Sequence, residues 1–182
     1  GLQGESLREG VLATGKHFIG HSMSQGGLNC APVHMGWYEL HDSFLTPFQA
    51  AIDEAQLGSI MNAYPELDGE VIATSRRLLT DLLRNKLGFE GLLVSDYEAI
   101  QMIHTYHKAA PDLRRAAVLA LKAGIDVELP TTVCYGDLLR TALELGEIDQ
   151  ETIDQAVRRH LQAKFDLGLF DNPYVDEEKV EE

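Results

Sequence analysis

Hydrophobic positions along this chain follow two rhythms that alternate from one end to the other. Short apolar runs at residues 11–15, 59–61, 91–94 and 125–129 read as four strands. Three of the four are nearly uninterrupted, the pattern of strands covered on both faces of a parallel sheet. Between them, apolar residues recur at steps of three and four. Residues 39–56 carry Leu40, Phe44, Leu45, Phe48, Ala51, Ile52 and Ala55 on one helical stripe. Pro47 inside that stripe predicts a kink or a late helix start. Ser75 is placed to cap a helix through Lys86, with Gly88 at its end. Pro111-Asp112 opens another helix that Gly124 closes, and residues 135–145 and 149–167 supply two more. The last is predicted to bury Ile153, Ala156, Val157, His160 or Leu161, and Phe165.

Strands alternating with helices imply right-handed βαβ units in an α/β fold, either a barrel or an open doubly wound sheet. A parallel (β/α) TIM-type barrel is favoured, because chemically interesting residues stand at the carboxyl ends of several strands. A complete barrel takes about 250 residues, so 182 residues supply roughly half, and the expectation is an incomplete barrel, its C-terminal half. Residues 1–175 are assigned to that domain and 176–182 to an acidic tail or the start of a linker. The opening Gly1-Leu2-Gln3-Gly4-Glu5 reads as a cut inside a larger protein, and the remainder of the parent chain is an expected partner.

Charge narrows the partners. With 15 basic against 29 acidic residues, the net charge of −14 should repel nucleic acid and anionic membranes, which are bound chiefly through Lys and Arg. No apolar run approaches a membrane span, so neither class of partner is expected. Neutral ligands suit this surface better. Cys30 and Cys134 are too few for a disulfide framework and lack metal-site spacing. The compartment stays open. No glycine-rich phosphate loop and no Gly-x-Ser-x-Gly elbow is present, and no cofactor is expected.

Asp96 is the sharpest candidate, since it directly follows an apolar strand. A carboxylate there can attack an anomeric carbon, hold a cation or act as a base; the bland reading is a helix cap. Lys16-His17 follows the first strand and could bind hydroxyls, a phosphate or a carboxylate, or Lys16 could form a Schiff base. The alternative is a surface lysine beside a hydrogen-bonded core histidine. His17 and His21 have helical metal-ligand spacing, but Gly15 and Gly20 argue against a helix. Tyr64 could bond a neighbouring nucleophile, Asp68-Gly69 reads as a turn, Glu128 needs a partner if buried, and Glu98 reads as solvated. The irregular loop over residues 20–37 is long enough to be functional.

Five ordered blocks together resemble the glycoside hydrolases of family 3. They are Lys16-His17-Phe18-Ile19-Gly20-His21, Met61-Asn62-Ala63-Tyr64 with Asp68-Gly69, Leu93-Val94-Ser95-Asp96-Tyr97, Ala123 through Pro130, and Ala163 through Phe170. The resemblance implies a retaining β-glucosidase or β-xylosidase acting on a β-linked oligosaccharide or aryl glycoside, with Asp96 as catalytic nucleophile. It implies that Lys16 and His17 bind the sugar, that Tyr64 lies beside the nucleophile, that Met61 sits near the pocket floor, and that His34 belongs to a loop above it. Such chemistry needs a second carboxyl roughly 5 Å away as acid and base, which this branch of the family takes from a later domain. A bacterial N-acetylglucosaminidase branch shares the Lys16 to His21 block but carries a second Asp where this chain has Tyr97. Gln25 stands where an acidic residue is common. The competing readings are a Schiff-base lyase or aldolase built on Lys16, and a sugar-binding fragment without turnover.

Overall fold

The structure, a computed structural model, describes residues 2–175, so the acidic tail assigned to 176–182 lies outside the described residues. The described residues form five strands: β1 (Thr14–Phe18), β2 (Ser59–Asn62), β3 (Glu66–Leu67), β4 (Glu70–Val71) and β5 (Leu92–Val94). Helix α1 runs without a break through Trp37–Glu39, the wider-wound Leu40–Leu45 and Thr46–Asp53. It is followed by α2 (Arg77–Lys86), α3 (Ala99–Thr105), α4 (Leu113–Ala123), α5 (Asp137–Glu144) and α6 (Gln150–Asp166).

β1, β2 and β5 lie side by side in that order, all parallel, with Thr14 opposite Ser59 and Ser59 opposite Leu92. A parallel sheet threaded by helices is the core of a partial α/β barrel. β2 is buried along its whole length, which explains its unbroken apolar sequence. Its start is squeezed against β5: a Cβ on Gly91 would stand 2.4 Å from the Gly58 carbonyl oxygen, so only glycine fits. Large side chains from both faces, among them Phe18, Ile60, Leu79, Leu83, Leu93, Ile100 and Ile125, are fully buried in one core.

Helix ends follow their sequence signals. Asp112 accepts the Arg115 amide at 2.7 Å and Asp149 the Thr152 amide at 2.7 Å, satisfying donors that a helix start leaves unpaired. Gly124 closes α4 at φ +117°. Ser75 accepts the Leu78 amide at 3.1 Å at the head of α2, and Pro47 stands inside α1 just past the join between its wider-wound section and its last section, without ending the helix. β3 and β4 form a hairpin through Asp68 and Gly69, both with positive φ, the two-residue turn that Asp-Gly favours.

Three expectations need correction. The first strand begins later than the apolar run at 11–15, so Lys16 and His17 lie within β1 rather than beyond it, and Val11 is exposed. Pairing with β2 sets that boundary, since the ladder opens with Thr14 against Ser59. The run at 125–129 is not a regular strand. It makes a single bridge, Val127 to Val94, because the Asp126 carboxylate replaces a backbone acceptor and takes the Leu93 amide at 2.9 Å. On α6 only Ala156 is buried, while Val157, Leu161 and Phe165 face outward. Arg159 commits the helix to the opposite side by reaching Asp126 at 2.8 Å. No described helix is long and apolar enough to cross a membrane.

Candidate active site

The carboxyl ends of β1, β2 and β5 bring His17, Asn62, Tyr64 and Asp96 together. β5 ends at Val94, and the chain then turns so that Asp96, 7 % exposed, remains beneath the surface. Its backbone N–H donates to Asn62 Oδ1 at 3.3 Å, tying the loop to the end of β2. Asn62 is in turn fixed by donating from Nδ2 to the Ala63 carbonyl at 2.8 Å. One carboxylate oxygen, Oδ1, accepts the Tyr97 amide at 2.7 Å. The other, Oδ2, faces His17 Nε2 at 3.3 Å. The carboxylate therefore keeps unused lone pairs on an oxygen anchored from one side only.

This carboxylate is not a helix cap. Glu98, in a left-handed conformation at φ +63°, occupies the cap position of α3, and no side chain bonds the first turn. Glu98 itself is exposed, as its sequence reading expected. Glu128 is buried and does find partners: its two oxygens accept the backbone N–H groups of Val133, Cys134 and Tyr135 at 2.7 to 3.0 Å. Burial first, and then the adjacent Glu128 carboxylate, pushes the Cys134 thiol up to about 12.

Two rings shape the environment of Asp96. The His17 imidazole is held below its ordinary pKa, first by burial, with the Asp96 charge opposing and His21 and Lys16 adding to the shift. At neutral pH it is a neutral donor rather than a cation. His21 stacks beside it, ring centroids 4.4 Å apart, and buries an Nδ1 with no hydrogen-bond partner among the described residues. The pair stacks rather than converging on a point, and the described residues contain no group of three or more metal-ligating side chains. Tyr64 donates its hydroxyl to the Tyr97 carbonyl at 2.8 Å. Its phenol is pushed far above the usual range by burial and then by the neighbouring Asp96 carboxylate.

The other sequence candidates are spread more widely. Lys16 is exposed and makes no side-chain hydrogen bond or ion pair among the described residues. Met61 is buried in β2 opposite Val94, beneath the site. His34 stands on the exposed loop, its Nδ1 3.5 Å from Asp68 Oδ1, a pairing within the loop and hairpin rather than with Asp96. Sequence reasoning missed three neighbours. Asn62 lay inside a quoted block, where its place at a strand end was the available signal. Cys30, from the loop over residues 20–37, lies near enough for the Asp96 charge to help burial raise its thiol pKa. His107 donates from Nε2 to the Tyr64 carbonyl at 3.0 Å.

The sequence profile of the glycosyl hydrolase family 3 N terminal domain matches residues 1–163. A beta-xylosidase of Formosa agariphila is 36 % identical, aligned with 100 % of this chain and 27 % of its own length. A periplasmic beta-glucosidase of Salmonella typhimurium is 34 % identical over 95 % of this chain and 22 % of its own. Among solved structures, beta-glucosidase from Listeria innocua in complex with isofagomine superposes with a TM-score of 0.91 at 32 % identity, covering 100 % of this chain and 26 % of that one. The chain thus spans about a quarter of the length of these relatives.

Proposed function

Since the chain belongs to glycosyl hydrolase family 3, we propose that it carries the nucleophile half of a retaining β-glycosidase site acting on β-glucosides or β-xylosides. The observation that carries this reading is the Asp96 carboxylate, buried at the carboxyl end of β5, faced by a neutral imidazole 3.3 Å away and left with unused lone pairs. Residues 1–175 form part of the catalytic barrel domain in this reading.

Asp96 attacks the anomeric carbon, and the sugar–oxygen bond breaks as a glycosyl ester forms on the carboxylate. Water then cleaves the ester and restores the original configuration. His17 holds a sugar hydroxyl and the Asp96 carboxylate in one frame, and Lys16 extends a cation for further hydroxyl contacts. Tyr64 limits the rotation of the loop bearing Asp96, Met61 supports the floor, and His34 is a peripheral contact from the loop above. The same chemistry needs a second carboxyl about 5 Å from the first, acting as acid and then as base. None of the well-placed described carboxylates is assigned to it: Glu128 is engaged by three amides, Asp126 by two guanidinium groups, and Glu98 is exposed. The partner required is a β-linked oligosaccharide or aryl glycoside.

The test is covalent trapping in the protein as its gene encodes it. A 2-fluoro β-glycoside slows ester hydrolysis, so peptide mass spectrometry is expected to find a fluoroglycosyl ester on Asp96 and none in Asp96→Asn. An unlabelled Asp96 in a protein that hydrolyses the parent glycoside would overturn the assignment. A borohydride-trapped adduct on Lys16 with a carbonyl substrate would replace it with Schiff-base chemistry.

A further inference from the structure

Tyr64 is tethered at both ends. Its hydroxyl donates to the carbonyl of Tyr97, whose own N–H donates to Asp96 Oδ1 at 2.7 Å. Its backbone carbonyl accepts from His107 Nε2 at 3.0 Å, across 43 positions of sequence. His107 lies just beyond α3, and α3 begins just beyond the Asp96 loop. The segment that follows the carboxylate is therefore pinned to one tyrosine at its start, through Tyr97, and at its end, through His107. The His107 backbone N–H donates back to Met102 at 2.9 Å, so the ring is carried by the helix end rather than by a free loop.

We infer that His107 is a positioning residue for the reaction, setting the height of Tyr64 and, through Tyr97, the orientation of the Asp96 carboxylate. The inference rests on the proposed role of Asp96. Burial depresses the His107 pKa, with the Tyr64 carbonyl and Glu66 opposing, so the ring is neutral at pH 7 and its single N–H is committed to that carbonyl. The Tyr106 ring packs edge-on against it at 4.9 Å, which limits its rotation. Half-buried and fixed on both sides, His107 delivers one hydrogen bond in one direction. Displacing a reacting group by a fraction of an ångström reduces the population of the attack geometry while leaving ground-state contacts to the sugar intact.

The experiment measures inactivation by the 2-fluoro glycoside as a function of its concentration, which separates the rate of ester formation from the affinity of the initial complex. In His107→Ala the limiting rate is expected to fall about tenfold to a hundredfold with the affinity changed less than about twofold. His107→Gln, which can still donate to the carbonyl, is expected to recover most of the rate. In a Tyr64→Phe background, His107→Ala is expected to cost far less than in the wild type, because both act through one chain of bonds. An unchanged limiting rate, a loss confined to affinity, or full additivity with Tyr64→Phe would overturn the inference. If His107→Ala unfolds, His107→Phe, which keeps a ring in place but cannot donate to the carbonyl, carries the same decision against His107→Gln and in its cycle with Tyr64→Phe. Failure to label the wild type at Asp96 would strike the functional reading instead.

Discussion

Two buried aspartates stand on segments joined by the single bridge of Val94 to Val127, one just past β5 and one beside it, and are treated in opposite ways. Asp126 is surrounded. Arg84 donates to one of its oxygens at 2.6 Å, Arg159 to the other at 2.8 Å, and the Leu93 amide adds a third bond at 2.9 Å. Asp96 has the amide of its own neighbour at 2.7 Å, a neutral imidazole at 3.3 Å and the Tyr64 hydroxyl close by, and no cation bonded to it. Both carboxylates are nearly out of water. The first is compensated in charge by two guanidinium groups; the second is not. A carboxylate locked and neutralised by two guanidinium groups can join elements but is a poor nucleophile, whereas one in a cleft with no cation bonded to it is available to react. Arg84 also donates to the Gly91 carbonyl at 3.0 Å, so the Asp126 knot fastens the entry of β5 while Asp96 stands just past its exit.

Exchanging the two losses gives the largest effects. Asp96→Asn should remove glycoside hydrolysis by at least about a thousandfold, as loss of a covalent nucleophile does. Its unfolding free energy should stay within about 1 kcal/mol of the parent, because few native bonds are lost. Asp126→Asn should reverse the pattern. It leaves two guanidinium groups facing a neutral amide, and breaking buried pairs of this kind costs about 3 to 5 kcal/mol. Urea unfolding of both variants, alongside turnover of a nitrophenyl glycoside at a temperature where both are folded, measures the contrast. Equal destabilisation by the two substitutions would remove the distinction drawn here.

The sequence made the supporting frame more legible than the difference between these aspartates. β2 and β5 declared themselves because strands covered on both faces must be continuously apolar, and α4 was bounded by Asp112 and Gly124, residues whose side-chain and backbone chemistry end helices wherever they occur. The apolar row Val157, Leu161 and Phe165 misled the reading of α6, because periodicity locates a stripe without saying which neighbour will cover it. In the site, Asp96, His17 and Tyr64 come from segments whose chemistry showed at strand ends, and the structure brings them together. His107 did not show, since its partner is a backbone carbonyl and a carbonyl leaves no mark in the sequence. Arg84 and Arg159 were invisible for a related reason. Each sits on a helix where a cation is ordinary, and only the fold turns both toward one carboxylate.

A smaller effect sharpens the comparison on the Asp96 side. Tyr64→Phe removes the hydroxyl bond to the Tyr97 carbonyl while keeping the ring. Tyr97 is mostly exposed, so water can replace the lost donor and the stability cost should be about 1 kcal/mol or less. The turnover number is expected to fall about tenfold with KM nearly unchanged, because the loop bearing Asp96 loses its tether but no sugar contact. A fall in affinity without a fall in turnover would make Tyr64 a substrate contact instead.

The smallest effect concerns pH, and it follows from burial of His17 rather than from any pairing. Burial lowers the His17 pKa in the folded chain, and His21 and Lys16 reinforce burial against the opposing Asp96 charge. The unfolded chain therefore takes up a proton near pH 6.5 while the folded chain does not. Stability contributed by neutral His17 is complete above that value and declines as pH falls from 6.5 toward the folded-state pKa. Below the folded-state pKa both forms are protonated and the loss levels off. His107 and His160 are shifted in the same direction by burial, so they share the slope. His17→Gln should accordingly flatten, without abolishing, the fall in unfolding free energy between about pH 6.5 and 5, measured by urea titration at fixed ionic strength. Asp126 bonds no histidine, although its charge opposes the shift at His160, so substituting it should lower the curve and enlarge the His160 share while leaving the His17-dependent portion in place. A slope untouched by His17→Gln would mean that the fold leaves the imidazole unshifted, and a fall made steeper would mean that the imidazole beside Asp96 is already charged in the folded protein, with the lone pairs assigned to that carboxylate held in an ion pair.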